Sequence, residues 1–560
     1  MKESFRQSMA WLHTWTGLLV CWLLLLVFAA GTASYYRNEI SLWMQPETHS
    51  PARTPVSTAL AAQTAVTWLQ QQAPEASRWF ITLPTAREPV TRVSWQIPAP
   101  PGAEGGRRRG NFKSETLDPA SGQPLASQPR ATRGGDFFYR LHFDLHYLPA
   151  ITARWIVGFC AMFMLIAIIT GVITHKRIFK DFFTLRPKKG QRSWLDAHNA
   201  SAVLALPFHL MITYTGLVTL MFLYMPWGIE TAYEGDSSAF YAELFPRSAE
   251  GPGASGERQP AGDIQAMVIA AEARWGNSPV ERLTVEHPGD ANSTLLFSRH
   301  PGRDISVNQP TATFHAVTGE LLSTTGEAAT ATQEARGVLY GFHLGRFANP
   351  LLRALFFLSG LAGCAMIATG ALLWAVKTRQ QYAKTLARGG RIGLGLRLVE
   401  GLNIGAIAGL VTAFASFFLA NRLLPVGMGN RAQMEIHCFF AAWGLAALLA
   451  QIHTGRRMWQ WQLGAGAALL LAIPVVNIFT TDSHLGQSLL QGKGPLPVVA
   501  FDLVMLLLGG LWASAAWWMG RQPRLPASAR APRAAPASSP VPPSSRPPAD
   551  ESADKLQEAV

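Results

Sequence analysis

Hydrophobic positions gather into runs of about 20 residues, the length that carries a helix across a hydrocarbon core of about 30 Å. Such runs lie near 10–31, 152–174, 201–225, 351–375, 398–420, 433–453, 463–480 and 498–519 and predict eight transmembrane helices. The first follows Lys2 and Arg6, as in a signal peptide. It is long and Trp-flanked, and its best small-residue site, Ala29-Ala30-Gly31, ends a full span, so it reads as a retained anchor. Between the runs, two long polar segments, about 35–150 and 227–349, change period. Each opens with a helical pattern (56–72; 264–275) and continues in apolar-polar alternation, as at 78–83, 90–97 and 283–286, which predicts strands.

This order occurs twice. Trp11-Leu12-His13 is matched by Trp194-Leu195 with His198 nearby, and Gly31 follows His13 by 18 residues just as Gly216 follows His198. Tyr139-Arg-Leu-His142 matches Tyr340-Gly-Phe-His343, and Thr170-Gly171 matches Thr369-Gly370. Inside the polar segments, the turn from Asp118 to Leu125 matches that from His315 to Leu322, with Gly122 and Gly319 supplying positive φ. The unit is helix, α+β module, helix. The predicted fold is therefore a polytopic α-helical membrane protein with two external α+β modules. Its parts are helix one (1–34), a first module (35–150), helices two and three (151–226), a second module (227–349), helix four with its loop (350–396), an appended four-helix bundle (397–520) and a Pro/Ala/Ser/Arg-rich disordered tail (521–560).

Charge assigns the orientation. The net +13 comes from 48 Lys and Arg against 35 Asp and Glu, and the cations crowd loop 175–199 and the stretch 377–397 beside apolar runs. The positive-inside rule makes those loops and both termini cytoplasmic and the modules external. Topology accounts for these cations without nucleic acid. The four cysteines, Cys21, Cys160, Cys364 and Cys438, all lie within apolar runs, so redox chemistry would need a cofactor. No Walker loop, HExxH or Ser/His/Asp order stands out. A transporter is disfavoured because the helices show neither several buried acidic residues nor an inverted repeat of broken helices.

The two Ser/Thr-Gly turns, each after a helix-strand-strand pattern, resemble PepSY modules. The run FFTLRPKKGQRSWLDAHN from Phe182 to Asn199, with Leu206-Pro-Phe-His209 after it, resembles the PepSY-associated transmembrane proteins over about 1–380. That family contains iron-regulated inner-membrane proteins, among them haem-containing ferrisiderophore reductases. The resemblance therefore implies an oxidoreductase that uses haem b, one or two per chain, to reduce a ferric siderophore on the periplasmic side. Its electron donor would be a quinol or a cytoplasmic reductase, since no nucleotide-binding glycine-rich turn follows a strand in 380–560. The alternative is a non-enzymatic PepSY scaffold that binds a periplasmic protease or uptake component.

Histidines in or beside the spans are the candidate haem ligands, because neutral imidazole donates a nitrogen lone pair to iron and two can bracket one haem. His198 and His209, 11 residues apart, would share one face of an ideal helix at two depths, with Pro207 kinking it. His13 and His175 lie at a depth similar to His198. On the other side, His142 and His146 fall one turn apart if helical, with His343 the counterpart of His142. No separate metal site is expected. His437 and His453 read as interfacial, and Arg107–Arg109 in a Gly-rich loop could attract an anionic chelate.

Overall fold

The structure, a computed structural model, describes residues 3–49, 56–97, 111–175, 178, 180, 184–245, 251–492 and 494–521. Arg107–Arg109, the loop cations Lys176 and Arg177, and the tail from 522 lie outside the described residues. The first half comprises α1 (Glu3–Ser34), α2 (Arg37–Met44), α3 (Thr58–Gln72), strands β1 (Arg78–Thr82), β2 (Thr91–Ile97) and β3 (Asn111–Leu117), then α4 (Gly134–Asp144) and α5 (Ala150–Thr174). The second begins with α6 (Gln191–Leu204) and α7 (Leu206–Thr219), followed by three short helices, α8 (Met221–Tyr224), α9 (Trp227–Ala232) and α10 (Ser237–Leu244). It continues with α11 (Ile264–Arg274), β4 (Val280–Glu286), β5 (Thr294–Arg299), β6 (Thr311–His315), β7 (Leu321–Thr325), α12 (Ala331–Leu344) and α13 (Pro350–Gln381). After α14 (Ala383–Ala387) come α15 (Leu394–Leu423), α16 (Arg431–Ile452), α17 (Arg456–Thr480), α18 (Leu485–Gln491) and α19 (Leu496–Gly520).

Seven described helices, α1, α5, α13, α15, α16, α17 and α19, are long and apolar enough to cross a bilayer, so the chain is a multi-pass membrane protein. The eighth span, expected as one helix over 201–225, is instead the pair α6 and α7, bent by 69°. Pro207 has no N–H to give to the Val203 carbonyl and its ring crowds that turn, so the chain breaks at Ala205 and restarts with Pro207 in the first turn of α7. His198 and His209 consequently stand on helices of different direction and do not share a face.

The two polar segments do not fold as separate sheets. Their strands form one antiparallel sheet in the order β3-β2-β1-β4-β5-β6-β7, joined where Arg78–Thr82 pairs with Arg282–Glu286. Alternation buries Trp79, Ile81, Leu283 and Val285 in a single core with Ala65 and Leu69 of α3 and Val268 and Ala271 of α11. Gly122 (φ 68°) and Gly319 (φ 75°) make the two matched turns.

Beyond the repeat, α15 packs on α16 and α17, and α17 on α19. A buried polar cluster fastens this bundle to the first half. Asp502 accepts from Trp43 Nε1 at 2.9 Å and from Asn477 Nδ2 at 2.8 Å, while Glu435 accepts from Arg431 Nη1 at 2.5 Å and from Asn421 Nδ2 at 2.8 Å. Glu435 and Asp502 are wholly buried, contrary to the expectation of few buried acids in the spans. Their partners come from five elements or loops, so the burial is not visible in any one stretch of sequence.

Candidate functional site: two interhelical histidine pairs

Four histidines from the repeat meet in two pairs, each taking one member from each half. The rings of His13 (α1) and His198 (α6) have centroids 6.1 Å apart with planes at 64°. Those of His142 (α4) and His343 (α12) have centroids 6.0 Å apart with planes at 33°.

One local design places all four. His13 Nδ1–H donates to the Ala167 carbonyl at 2.8 Å, His198 Nδ1–H to Met366 at 2.9 Å, and His142 Nδ1–H to Val27 at 2.7 Å. His343 lies against the Ile212 carbonyl, its Nδ1 also meeting the Thr215 hydroxyl at 3.1 Å. In each case a glycine stands four residues after that carbonyl: Gly171, Gly370, Gly31 and Gly216. In a helix the N–H of residue i+4 meets the carbonyl of residue i, so carbonyl and glycine lie one above the other. The histidine ring lies on that glycine. A Cβ there would come within 3.1 Å of His13 Cε1, 3.1 Å of His198 Cε1, 2.7 Å of His142 Cε1 and 3.1 Å of His343 Cε1. Carbonyl and glycine together dock the ring by its Nδ1 edge.

The chemical consequence is the tautomer. With Nδ1–H given to a carbonyl, the lone pair sits on Nε2, which makes no hydrogen bond among the described residues in any of the four rings. With centroids 6.1 and 6.0 Å apart, the two rings of each pair are near enough for one metal-bearing group to be shared between them. Among the described residues no three of His, Cys, Asp or Glu gather as they would around a bare ion. Two neutral imidazoles are a donor set that fits haem, which His13 with His198 and His142 with His343 would hold.

The pairs lie at two levels. His13 and Gly31 are 18 residues apart on α1, five full turns and so one face, with about 27 Å of rise between them. The shared interval noted in the sequence thus has a physical meaning: each opening helical segment of the repeat, α1 or the pair α6 and α7, gives a histidine to one pair and, 18 residues on, the glycine that receives a histidine of the other.

The remaining candidates are not in either pair. His209 is buried between them, beside Phe28, with Nε2 3.3 Å from the Ser359 carbonyl. His175 Nε2 accepts from Asn199 Nδ2 at 3.0 Å, which ties it beside His198 without facing a second imidazole. His146 does not share a face with His142. Helix α4 ends at Asp144, and Leu145 and His146 both turn left-handed (φ 51° and 61°), swinging His146 toward Gln433 of α16 at 3.2 Å. Next to it, the Tyr147 hydroxyl meets His437 Nδ1 at 2.6 Å.

The sheet lies over the His142–His343 pair and closes a cavity of about 650 Å3 lined by both rings, Tyr35, Tyr139 and six arginines. Arg37 pairs with Asp136, and Arg87 and Arg353 with Glu39. Arg282, Arg303 and Arg346 form no ion pair among the described residues. Burial, then repulsion from Arg37, pulls the Arg346 guanidinium below its usual value. Sequence reasoning missed this cluster, because its arginines are scattered over two polar segments and the start of α13 and come together only in the folded chain.

An uncharacterized protein of Pseudomonas aeruginosa, PA4219, is 26% identical over 413 residues, an alignment that covers 70% of this chain and 97% of that protein. The paired histidines and their glycines all lie within residues 10–377, the stretch matched by the family described as the PepSY-associated TM region, and the chain belongs to that family.

Proposed function

We propose that the protein is a haem-dependent electron-transfer protein that reduces ferric iron held by a siderophore on the module side of the inner membrane, drawing electrons from a quinol or a cytoplasmic reductase on the other. The observation that carries the reading is the fourfold repetition of one docking design, which leaves two Nε2 lone pairs without a hydrogen bond among the described residues in each of two histidine pairs. Unpaired histidines of an interfacial or structural kind have no need of it. Haem held by His13 with His198 and by His142 with His343 would supply reversible one-electron iron chemistry at both levels.

The chain's own residues do the rest. The carbonyls of Ala167, Met366 and Val27 fix ring orientation and tautomer. The arginine-lined cavity offers an anionic chelate a place beside the outer pair, with Arg282, Arg303 and Arg346 available to its oxygens. Iron reduced to Fe(II) is held less tightly by hard oxygen ligands, which frees it.

Absorption spectra of the purified protein, followed by stopped-flow mixing of the reduced form with ferric hydroxamates and catecholates, test the proposal. The expected result is a b-type spectrum, reoxidation by at least one ferric chelate, and Fe(II) trapped by a ferrous chelator. A colourless preparation from haem-replete cells would sink the haem reading. Haem that stays reduced with every ferric chelate but is oxidised by a quinone would sink the siderophore reading alone.

A further inference from the structure

We propose that a second cavity, on the module side of the second half, binds one anionic phospholipid of the surrounding bilayer. The cavity measures about 780 Å3 and lies between α7, α12 and the short helices α8 to α10, within the about 300–1,000 Å3 typical of ligand sites. Its walls are carbon: Val218, Met221, Phe222, Phe240 and Leu339 among them. The charge in that wall is Arg336. Its guanidinium carbon lies 4.3 Å from the Phe245 ring centroid and 4.4 Å from that of Tyr340, held face-on between two aromatics. Its buried Nε has no hydrogen-bond partner, and no carboxylate pairs with it among the described residues. A half-buried cation with one unpartnered buried N–H, beside the Tyr340 hydroxyl and opening on an apolar chamber, calls for an anion attached to a hydrocarbon chain.

The rim points to the bilayer as the source. Helix α7 belongs to the bent membrane span, and beyond it Met225, Trp227 and Phe245 are 64%, 65% and 43% exposed, an apolar-aromatic edge of the kind found where lipid tails meet headgroups. The segment α8 to α10 has no counterpart in the first half, where α1 runs directly into α2. The cavity is thus an addition to the repeat. Arg336 also stands seven residues, two turns, before His343 on α12, and Tyr340 between them donates its hydroxyl to the Thr219 carbonyl of α7. An occupant would brace the helix that carries one member of the outer pair.

The test uses the full chain in detergent with phosphatidylglycerol and phosphatidylcholine as probes, read by native mass spectrometry and lipid extraction. The expected result is about one phosphatidylglycerol retained per chain, with affinity about fivefold lower in Arg336→Gln, largely kept in Arg336→Lys, and lost in Leu339→Trp, which fills the chamber but keeps the charge. Equal retention of phosphatidylcholine, unchanged phosphatidylglycerol binding in Arg336→Gln, or recovery of a free fatty acid in place of phospholipid would overturn the assignment. Circular dichroism of each variant separates loss of the lipid from loss of the fold.

Discussion

A glycine in a transmembrane helix tolerates a larger residue only where nothing packs on it, so the glycines under the paired histidines give a sharp residue-level test. A side chain at Gly171 must occupy space held by the His13 ring, whereas Gly17, on the same helix as His13, has nothing within 4 Å of its Cβ position. Gly171→Leu should therefore lose about half of the bound haem and cost about 1–3 kcal/mol in stability from overpacking; Gly17→Leu should change neither. A haem titration with thermal unfolding distinguishes them, and equal behaviour of the two would remove the glycine-seat account. Outside the spans, His49 gives a pH prediction. Burial first, then nearby Arg422 and Arg130, lowers its imidazole to about 4 against the Leu42 carbonyl that it bonds. Its unfolded value is about 6.5. Because the folded value is the lower one, the neutral ring's contribution to stability is intact above about pH 6.5 and is lost as pH falls toward about 4. Unfolding midpoints measured across that window should drop less in His49→Gln than in the wild type. Of the histidines, His13, His198, His142 and His343 were legible because they recur at matching positions in the two halves. The sequence points to His209 with His198 first, from its depth in the span and a shared helix face; the structure gives it no second imidazole nearby among the described residues, a long-range property.

At the scale of elements, helix ends decide which residues can meet. The sequence periodicity placed His142 and His146 on one helical face, and the helix does run through His142, but the left-handed turn at Leu145 and His146 ends it within four residues. No glycine or proline marks that ending, so nothing local announced it. The expected outcome is that His142→Ala abolishes one of two haem signals in low-temperature or paramagnetic resonance spectra while His146→Ala leaves both in place. Loss of the same signal in both variants would return His146 to the ligand set. The break between α6 and α7 was half legible: Pro207 predicted a kink, but only the structure shows a bend of 69° and hence the loss of a common face for His198 and His209. The strands and their helices were the most legible elements, since 78–83 and 264–275 differ from β1 and α11 by a residue at one end.

At the scale of the whole molecule, the sequence showed two modules and the structure joins them through β1 and β4. Cross-strand pairing over some 200 residues leaves no mark in either strand's own pattern, which is why the single sheet was unforeseen. Phe80 and Thr284 are direct partners in that register, on the face away from the core, so a Phe80→Cys/Thr284→Cys double variant should form a disulfide under mild oxidation; two separate sheets would give none. Orientation is a separate question. Alkaline phosphatase fused near Ser121 or Thr318 should be active and the same enzyme fused in loop 175–199 inactive, and the reverse pattern would invert the proposed topology. The exchange of histidines between halves has a consequence for symmetry. Neither half owns a complete pair: His13 must find His198, and His142 must find His343. A single unit of the repeat, about a third of the chain, could bring such rings together only as a homodimer about a twofold axis, each copy lending one ring to both pairs. Joining both halves in one chain makes that contact intramolecular and lets one half alone carry the α8–α10 segment that a symmetric dimer would have to carry twice.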